Sequence, residues 1–141
     1  MRILAVDPGT KNIGLALSDP SGQLARPLKV IPHSSRQGDA ACIAAEAVAN
    51  SVGLILIGLS LDENGMPTLA GRRSTRLTQA LREKTDLPVI LWDEAFSTQE
   101  ARRLRISQGA PRKKRMGHLD EVAAAVMLQS YLDQSPLASS A

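Results

Sequence analysis

Three carboxylates carry the chemistry this sequence offers. Asp7 stands where the apolar run of residues 3–6 stops, Glu94 follows the run of residues 89–92, and Asp120 opens a final helix-patterned segment. A carboxylate at the end of a buried strand is costly unless it holds a cation or a donor. Strand ends along one edge of an α/β sheet form the crevice where function usually collects. Acids gathered there without a His or Cys ligand set favour Mg2+ or Mn2+, hard cations that prefer oxygen. Such ions activate water and neutralise negative charge, most fully as a pair about 4 Å apart. Taken singly, each acid has a plainer reading. Asp7 can cap the turn before Pro8-Gly9, Asp120 can be a helix N-cap, and Asp93-Glu94 can be a solvated strand end.

Positive charge is concentrated elsewhere. Residues 95–118 hold seven Arg or Lys against the single acid Glu100, a local +6 in a chain of net +3. The remainder is therefore net negative, and the basic segment points to a polyanionic partner. Arg102 and the run Arg112, Lys113, Lys114, Arg115 are the candidate phosphate contacts, together with Lys11 in the loop after Asp7. For Lys11 a solvated loop lysine is the competing reading, and Thr10 and Thr98 are weaker candidates to orient water or phosphate. Aromatics make up only 2% of the chain, which excludes the base-stacking platforms of RRM and OB folds.

The elements that must position these groups follow from the pattern. Apolar runs predict strands near residues 2–7, 13–19, 25–32, 54–58 and 89–92, and Pro27 favours an edge position for the third. The second strand sets bulky Ile13, Leu15 and Leu17 against small Gly14, Ala16 and Ser18, so one of its faces allows close approach. An alanine-rich helix is expected to open at Gly38-Asp39. A second helix presents Leu77, Ala80 and Leu81 on one face, with Arg72, Arg73 and Arg76 at its start. The capping box Ser97-Thr98-Gln99-Glu100 starts another, which Gly109 and Pro111 stop. Leu119, Val122, Ala123, Val126, Met127 and Tyr131 keep helical spacing in the last. The order predicts an α/β layer fold with a mixed sheet. With 141 residues the chain fits one domain over residues 1–134, followed by a small polar tail, 135–141, expected to be disordered. The lone Cys42 excludes an intramolecular disulfide and reads as a buried small hydrophobe. No apolar run reaches membrane-spanning length and no leader precedes the first strand, so a cytoplasmic protein without a membrane partner is expected.

Four motifs, in order and spacing, resemble the YqgF/RuvX family: DPGTKNIGLALSD, GLSLDENG, WDEAFST and GAPRKKRMGHLDEVAAAVMLQSYLD. The resemblance runs from about residue 3 to residue 133. It implies an RNase H-like fold, with a five-stranded mixed sheet flanked by helices. It also implies a Mg2+- or Mn2+-dependent nuclease whose metal is held by Asp7, Glu94 and Asp120. Members are described as nucleases maturing the 5′ end of the small-subunit ribosomal RNA precursor, or as Holliday-junction resolvases. The expected partner is structured RNA or branched DNA, and the expected state a monomer or a homodimer. Two departures stand out. Ala95 replaces a family arginine after Asp93-Glu94, and Ser60 replaces the proline of a G-L-P motif. The first is expected either to weaken the grip on substrate or to move it to Arg102 or the Arg112–Arg115 run.

Two other classes compete. The Asp7-to-Lys11 loop also resembles the phosphate loop of actin-like ATPases and sugar kinases, but those need two such domains and an adenosine-binding segment. A non-catalytic nucleic-acid-binding module would use the basic run alone, and its binding would survive loss of Asp7.

Overall fold

Every strand expected from the apolar runs forms, and the five make one sheet. The computed structural model describes residues 1–93 and 119–134. In chain order the elements are β1 (Arg2–Pro8), β2 (Asn12–Ser18), β3 (Ala25–Pro32), α1 (Arg36–Ala49), β4 (Val52–Leu59), α2 (Leu69–Arg82), β5 (Val89–Asp93) and α3 (Leu119–Gln134). The strand order is β3-β2-β1-β4-β5. β1, β2 and β3 form an antiparallel meander, while β4 and β5 run parallel to β1. β3 is thus an edge strand, where Pro27 removes no interior ladder bond.

The sheet separates two cores. Leu4, Val6, Ile13, Leu15, Leu17, Ile55 and Ile57 pack against Ala40, Ile43 and Ala47 of α1 and Leu77, Ala80 and Leu81 of α2. On the other face Ile3, Ala5, Ala16, Leu54 and Leu56 meet Ala124, Met127, Leu128 and Leu132 of α3. The small face of β2 is what lets α3 lie close. Full burial of each such Leu or Ile contributes about 1.5–3 kcal/mol, so the two layers together outweigh any single polar contact.

Local chemistry moves several boundaries. α1 starts at Arg36 rather than at Gly38-Asp39, because Ser35 Oγ accepts the Gly38 N–H at 3.0 Å and caps the helix. Asp39 is buried one turn in, where it accepts the Ser34 N–H at 3.0 Å and meets His33 Nδ1. Cys42 is exposed, contrary to expectation, because α1 buries the stripe Asp39, Ala40, Ile43 and Ala47. In α3 the buried face runs through Ala124, Met127, Leu128 and Leu132, which turns Val122 outward at 42% exposure. β4 starts at Val52, two residues before the apolar run expected at residues 54–58. α2 starts at Leu69, capped by Thr68 Oγ1 accepting from Gly71 N at 3.1 Å. A side chain at Gly71 would collide with the Ser60 backbone carbonyl, which itself accepts from Thr68. Ser60 thus contributes its carbonyl to the seat of α2. The helix expected from Ser97 and the tail at 135–141 lie outside the described residues.

The β2–β3 turn is organised by Asp19. The Gln23 amide, the Ser21 hydroxyl and the Leu24 amide all donate to its carboxylate and hold it below the ordinary value of 3.8.

Candidate active site

Asp7 is the sixth of seven residues in β1 and is half-buried. Side chains alternate across a strand. Ile3 and Ala5 lie in the α3-side core and Leu4 and Val6 in the other, so Asp7 belongs to the α3 face. Its partner across the antiparallel ladder is Gly14, which places no side chain beside the carboxylate. Pro8 then ends the strand, and Gly9 makes the turn. A side chain on Gly9 would strike the Asn12 carbonyl, so the turn after Asp7 admits only glycine in this form. The turn is pinned from outside as well, since the Lys11 carbonyl accepts the His33 N–H at 2.8 Å. The Lys11 residue itself is exposed.

α3 is tied to the sheet near the start of β1. Gln129 Oε1 accepts the Ala25 N–H at 2.9 Å, and Gln129 Nε2 donates to the Gln23 carbonyl and to Asp133 Oδ1, both at 3.0 Å. Ala25 pairs with Ser18, whose Oγ accepts the Ile3 N–H at 2.8 Å, so Gln129 is level with the start of β1. Ala124, Met127, Leu128 and Leu132 are all buried against the sheet residues of this face.

β5 also ends at this edge. Gly58 pairs with Trp92 and Leu59 with Asp93. Trp92 packs on the α3 side, edge-on to Tyr131 with ring centroids 5.2 Å apart. By alternation Asp93 lies on the opposite face from Asp7, so those two carboxylates do not share a site. Glu94, Thr98, Arg102, Arg112, Lys113, Lys114 and Arg115 lie outside the described residues, and so does Ala95. Of Asp120, the backbone position in α3 is described. Among the described residues, no three His, Cys, Asp or Glu side chains stand close enough to hold a metal ion between them. No helix among them is long and apolar enough to cross a membrane.

A feature not assigned a role by motif reading lies on the other face of this edge. A groove of about 440 Å³ opens between the β1–β2 turn, the start of α1 and the first turns of α2. Thr10, Arg36, Arg73 and Arg76 line it, with His33 and Asp39 at its side. Arg73 and Arg76 were legible as part of a basic helix start, but Arg36 joins them only through the tertiary fold.

The family model described as "RuvX: Holliday junction resolvase" matches residues 1–134. A relative from Geobacillus kaustophilus (strain HTA426), named "Putative pre-16S rRNA nuclease", is 41% identical over 135 residues, covering 94% of this chain and 98% of the relative. A relative of the same name from Thermoanaerobacter pseudethanolicus (strain ATCC 33223 / 39E) is 40% identical over 134 residues, with 94% and 96% covered. Among solved structures, T. thermophilus RuvC in complex with Holliday junction substrate aligns at a TM-score of 0.61 and 16% identity, covering 96% of this chain and 97% of that one. The Fowlpox virus resolvase with substrate Holliday junction DNA aligns at 0.51 and 12% identity, covering 99% and 98%. Identities this low speak to the fold, which is the RNase H-like arrangement of a mixed five-stranded sheet between helices. Sequence and fold agree, and the chain belongs to the RuvX (YqgF) family.

Proposed function

We propose that this protein is a nuclease that hydrolyses phosphodiester bonds with the help of Mg2+ or Mn2+, and that its substrate is the precursor of 16S ribosomal RNA, cut toward the 5′ end. The observation that carries the reading is Asp7, a half-buried carboxylate at the end of the central strand, on the face that α3 covers. The donor set fits a hard divalent cation, because Asp7, Glu94 and Asp120 all offer oxygen. When bound, the ion supplies charge neutralisation at phosphorus and an acidified water.

The chain's own residues do the remaining work. The backbone of Asp7 is fixed by its pairing with Gly14 and by the glycine turn behind it. Asp120 sits in the first turn of α3, where the helix dipole favours its ionised form. Lys11, exposed in the turn, is free to contact a phosphate oxygen of the substrate. Arg102 and the Arg112, Lys113, Lys114, Arg115 run add sequence-independent backbone contacts, taking the part of the family arginine that Ala95 replaces. The relatives at 40–41% identity favour the ribosomal RNA substrate through their names. The description of the matching family favours a second reading, resolution of DNA four-way junctions, for which a two-fold homodimer would be required.

The test is Asp7→Asn, which preserves shape and turn chemistry while removing the charge. Parent and variant are compared on one preparation for melting, nucleic-acid binding and Mn2+-dependent cleavage. The substrates are a 16S precursor fragment, a four-way junction and duplex DNA. The variant is expected to melt at or above the parent temperature, since repulsion among the three acids is relieved, to bind normally, and to cut nothing. Cleavage at near the parental rate refutes the metal-nuclease reading. Preference for the junction over the precursor selects the second substrate.

A further inference from the structure

The groove between the β1–β2 turn, α1 and α2 has a surplus of positive charge that no described residue answers. Arg73 and Arg76 lie three residues apart on α2 and so share a face. Arg36 approaches from the first turn of α1. All three are exposed, and among the described residues none has a hydrogen-bond or ion-pair partner. The one carboxylate at the groove, Asp39, is already engaged by His33 Nδ1, the Ser34 N–H and, at 3.3 Å, the Ser34 hydroxyl. It offers the guanidiniums little. The start of α1 adds the amides of Arg36 and Gln37, which have no carbonyl partner within the helix. Gly38 N and Asp39 N are taken by Ser35 Oγ and the Ser35 carbonyl.

Three guanidiniums, a threonine hydroxyl and a helix start converging on one groove match the oxygens of a phosphate group. Among the described residues no Phe, Tyr or Trp lines the groove, which suits a phosphate better than a base. Its position says which phosphate. Pro8 and Gly9 form part of its wall, and Asp7 immediately precedes them on the opposite face of the same strand. A nucleic-acid strand crossing the end of β1 would lay one phosphate beside Asp7 and a neighbouring one in the groove.

We infer that Arg36, Arg73 and Arg76, with Thr10, form a second backbone-phosphate site that holds the substrate strand where it passes over the end of β1. The inference rests on the nuclease reading above for the identity of the strand. The site is sequence-independent, and it is separate from the basic run at Arg112–Arg115 in sequence.

The experiment compares three proteins: the parent, Arg73→Ala/Arg76→Ala, and a control, Arg26→Ala/Arg72→Ala. The control removes the same charge from exposed positions that do not line the groove. Both pairs remain foldable, because every residue is exposed and Ala is tolerated in helices and on an edge strand; melting curves verify this. Binding of a single-stranded RNA oligonucleotide is measured against salt. The groove variant should lose about 0.7–0.9 in the slope of log affinity against log salt, the equivalent of one phosphate, and bind several-fold more weakly than the control. A slope and affinity equal to the control overturn the site. Inorganic phosphate titrated into 15N-labelled parent should shift the Thr10 and Arg36 amides and leave those of the groove variant in place. If phosphate shifts them but RNA binding of the groove variant equals the control, the groove is a small-anion site and the inference is wrong. The nuclease reading fails differently. It falls if Asp7→Asn still cuts, whatever the salt slopes show.

Discussion

Gln129 is the clamp that sets the height of α3 on the sheet, and replacing it by Met tests that role without changing side-chain volume. The variant leaves the part-buried Ala25 N–H without its acceptor. An amide orphaned in that way costs about 1–3 kcal/mol. The exposed bonds from Nε2 to the Gln23 carbonyl and to the Asp133 carboxylate contribute less, about 0.5 kcal/mol each, and Met and Gln have nearly equal helix propensity. The expected loss is therefore about 2–4 kcal/mol, which in a domain of this size lowers Tm by roughly 7–14 °C. Urea denaturation should show the same loss with an unchanged m-value. Gln129→Glu separates the Ala25 bond from the two made by Nε2. It keeps an oxygen for Ala25 but surrenders the donor to Gln23 and Asp133 and adds a like charge to Asp133 four residues on, worth tenths of a kcal/mol. It should lose clearly less than the Met variant. A Met variant melting within about 1 °C of the parent refutes the clamp. A Glu variant falling as far as the Met variant shows that the Ala25 bond is not what matters.

The Asp19 turn gives a pH signature. Its folded pKa is lowered by the Gln23 amide, the Ser21 hydroxyl and the Leu24 amide, so its contribution is complete above the unfolded value of 3.8 and lost as pH falls through the folded one. The stability gap between parent and Asp19→Asn should be widest near neutrality and close in strong acid; a gap that does not change with pH contradicts the assignment. For the basic run, alanine at Arg112, Lys113, Lys114 and Arg115 together should flatten the salt dependence of nucleic-acid binding by about 0.7–0.9 for each phosphate that is no longer neutralised. An unchanged slope would mark the run as solvated surface.

What the sequence made legible was what is encoded locally. Continuous apolar runs marked all five strands, Pro27 marked the edge, and the small face of β2 marked where a helix comes close. The misread positions sit where local pattern is ambiguous. In α3, Val122 and Val126 compete with Ala124 and Leu128 for one stripe, and alanines give no contrast to decide it, so the helix is rotated from the expected face. Alanine richness misled equally at Cys42. The start of α1 differs because a serine cap three residues upstream outranks the Gly38-Asp39 signal. At the site, Asp7 was readable because a charge ending a buried run is conspicuous. The facing of Asp93 away from Asp7 follows from strand alternation in β5, which the short run of residues 89–92 could not fix without its neighbours. The groove was out of reach for a different reason: Arg36 and the α2 arginines meet only across a tertiary junction.

The α3 face of the sheet has a consequence for the order in which the protein can assemble. Its sheet residues, Ile3, Ala5, Ala16, Leu54 and Leu56, all precede residue 60, whereas among the described residues those that cover them begin at Ala124. The bond between Ala25 and Gln129 spans 104 positions. Contacts of such separation form late and slowly. During synthesis, which orders a chain from its N-terminus, the α1–α2 layer can close over its own core while the opposite apolar face waits uncovered. That half-finished sheet exposes Ile3, Ala5, Ala16, Leu54 and Leu56 together until α3 docks, a patch open to association with other chains.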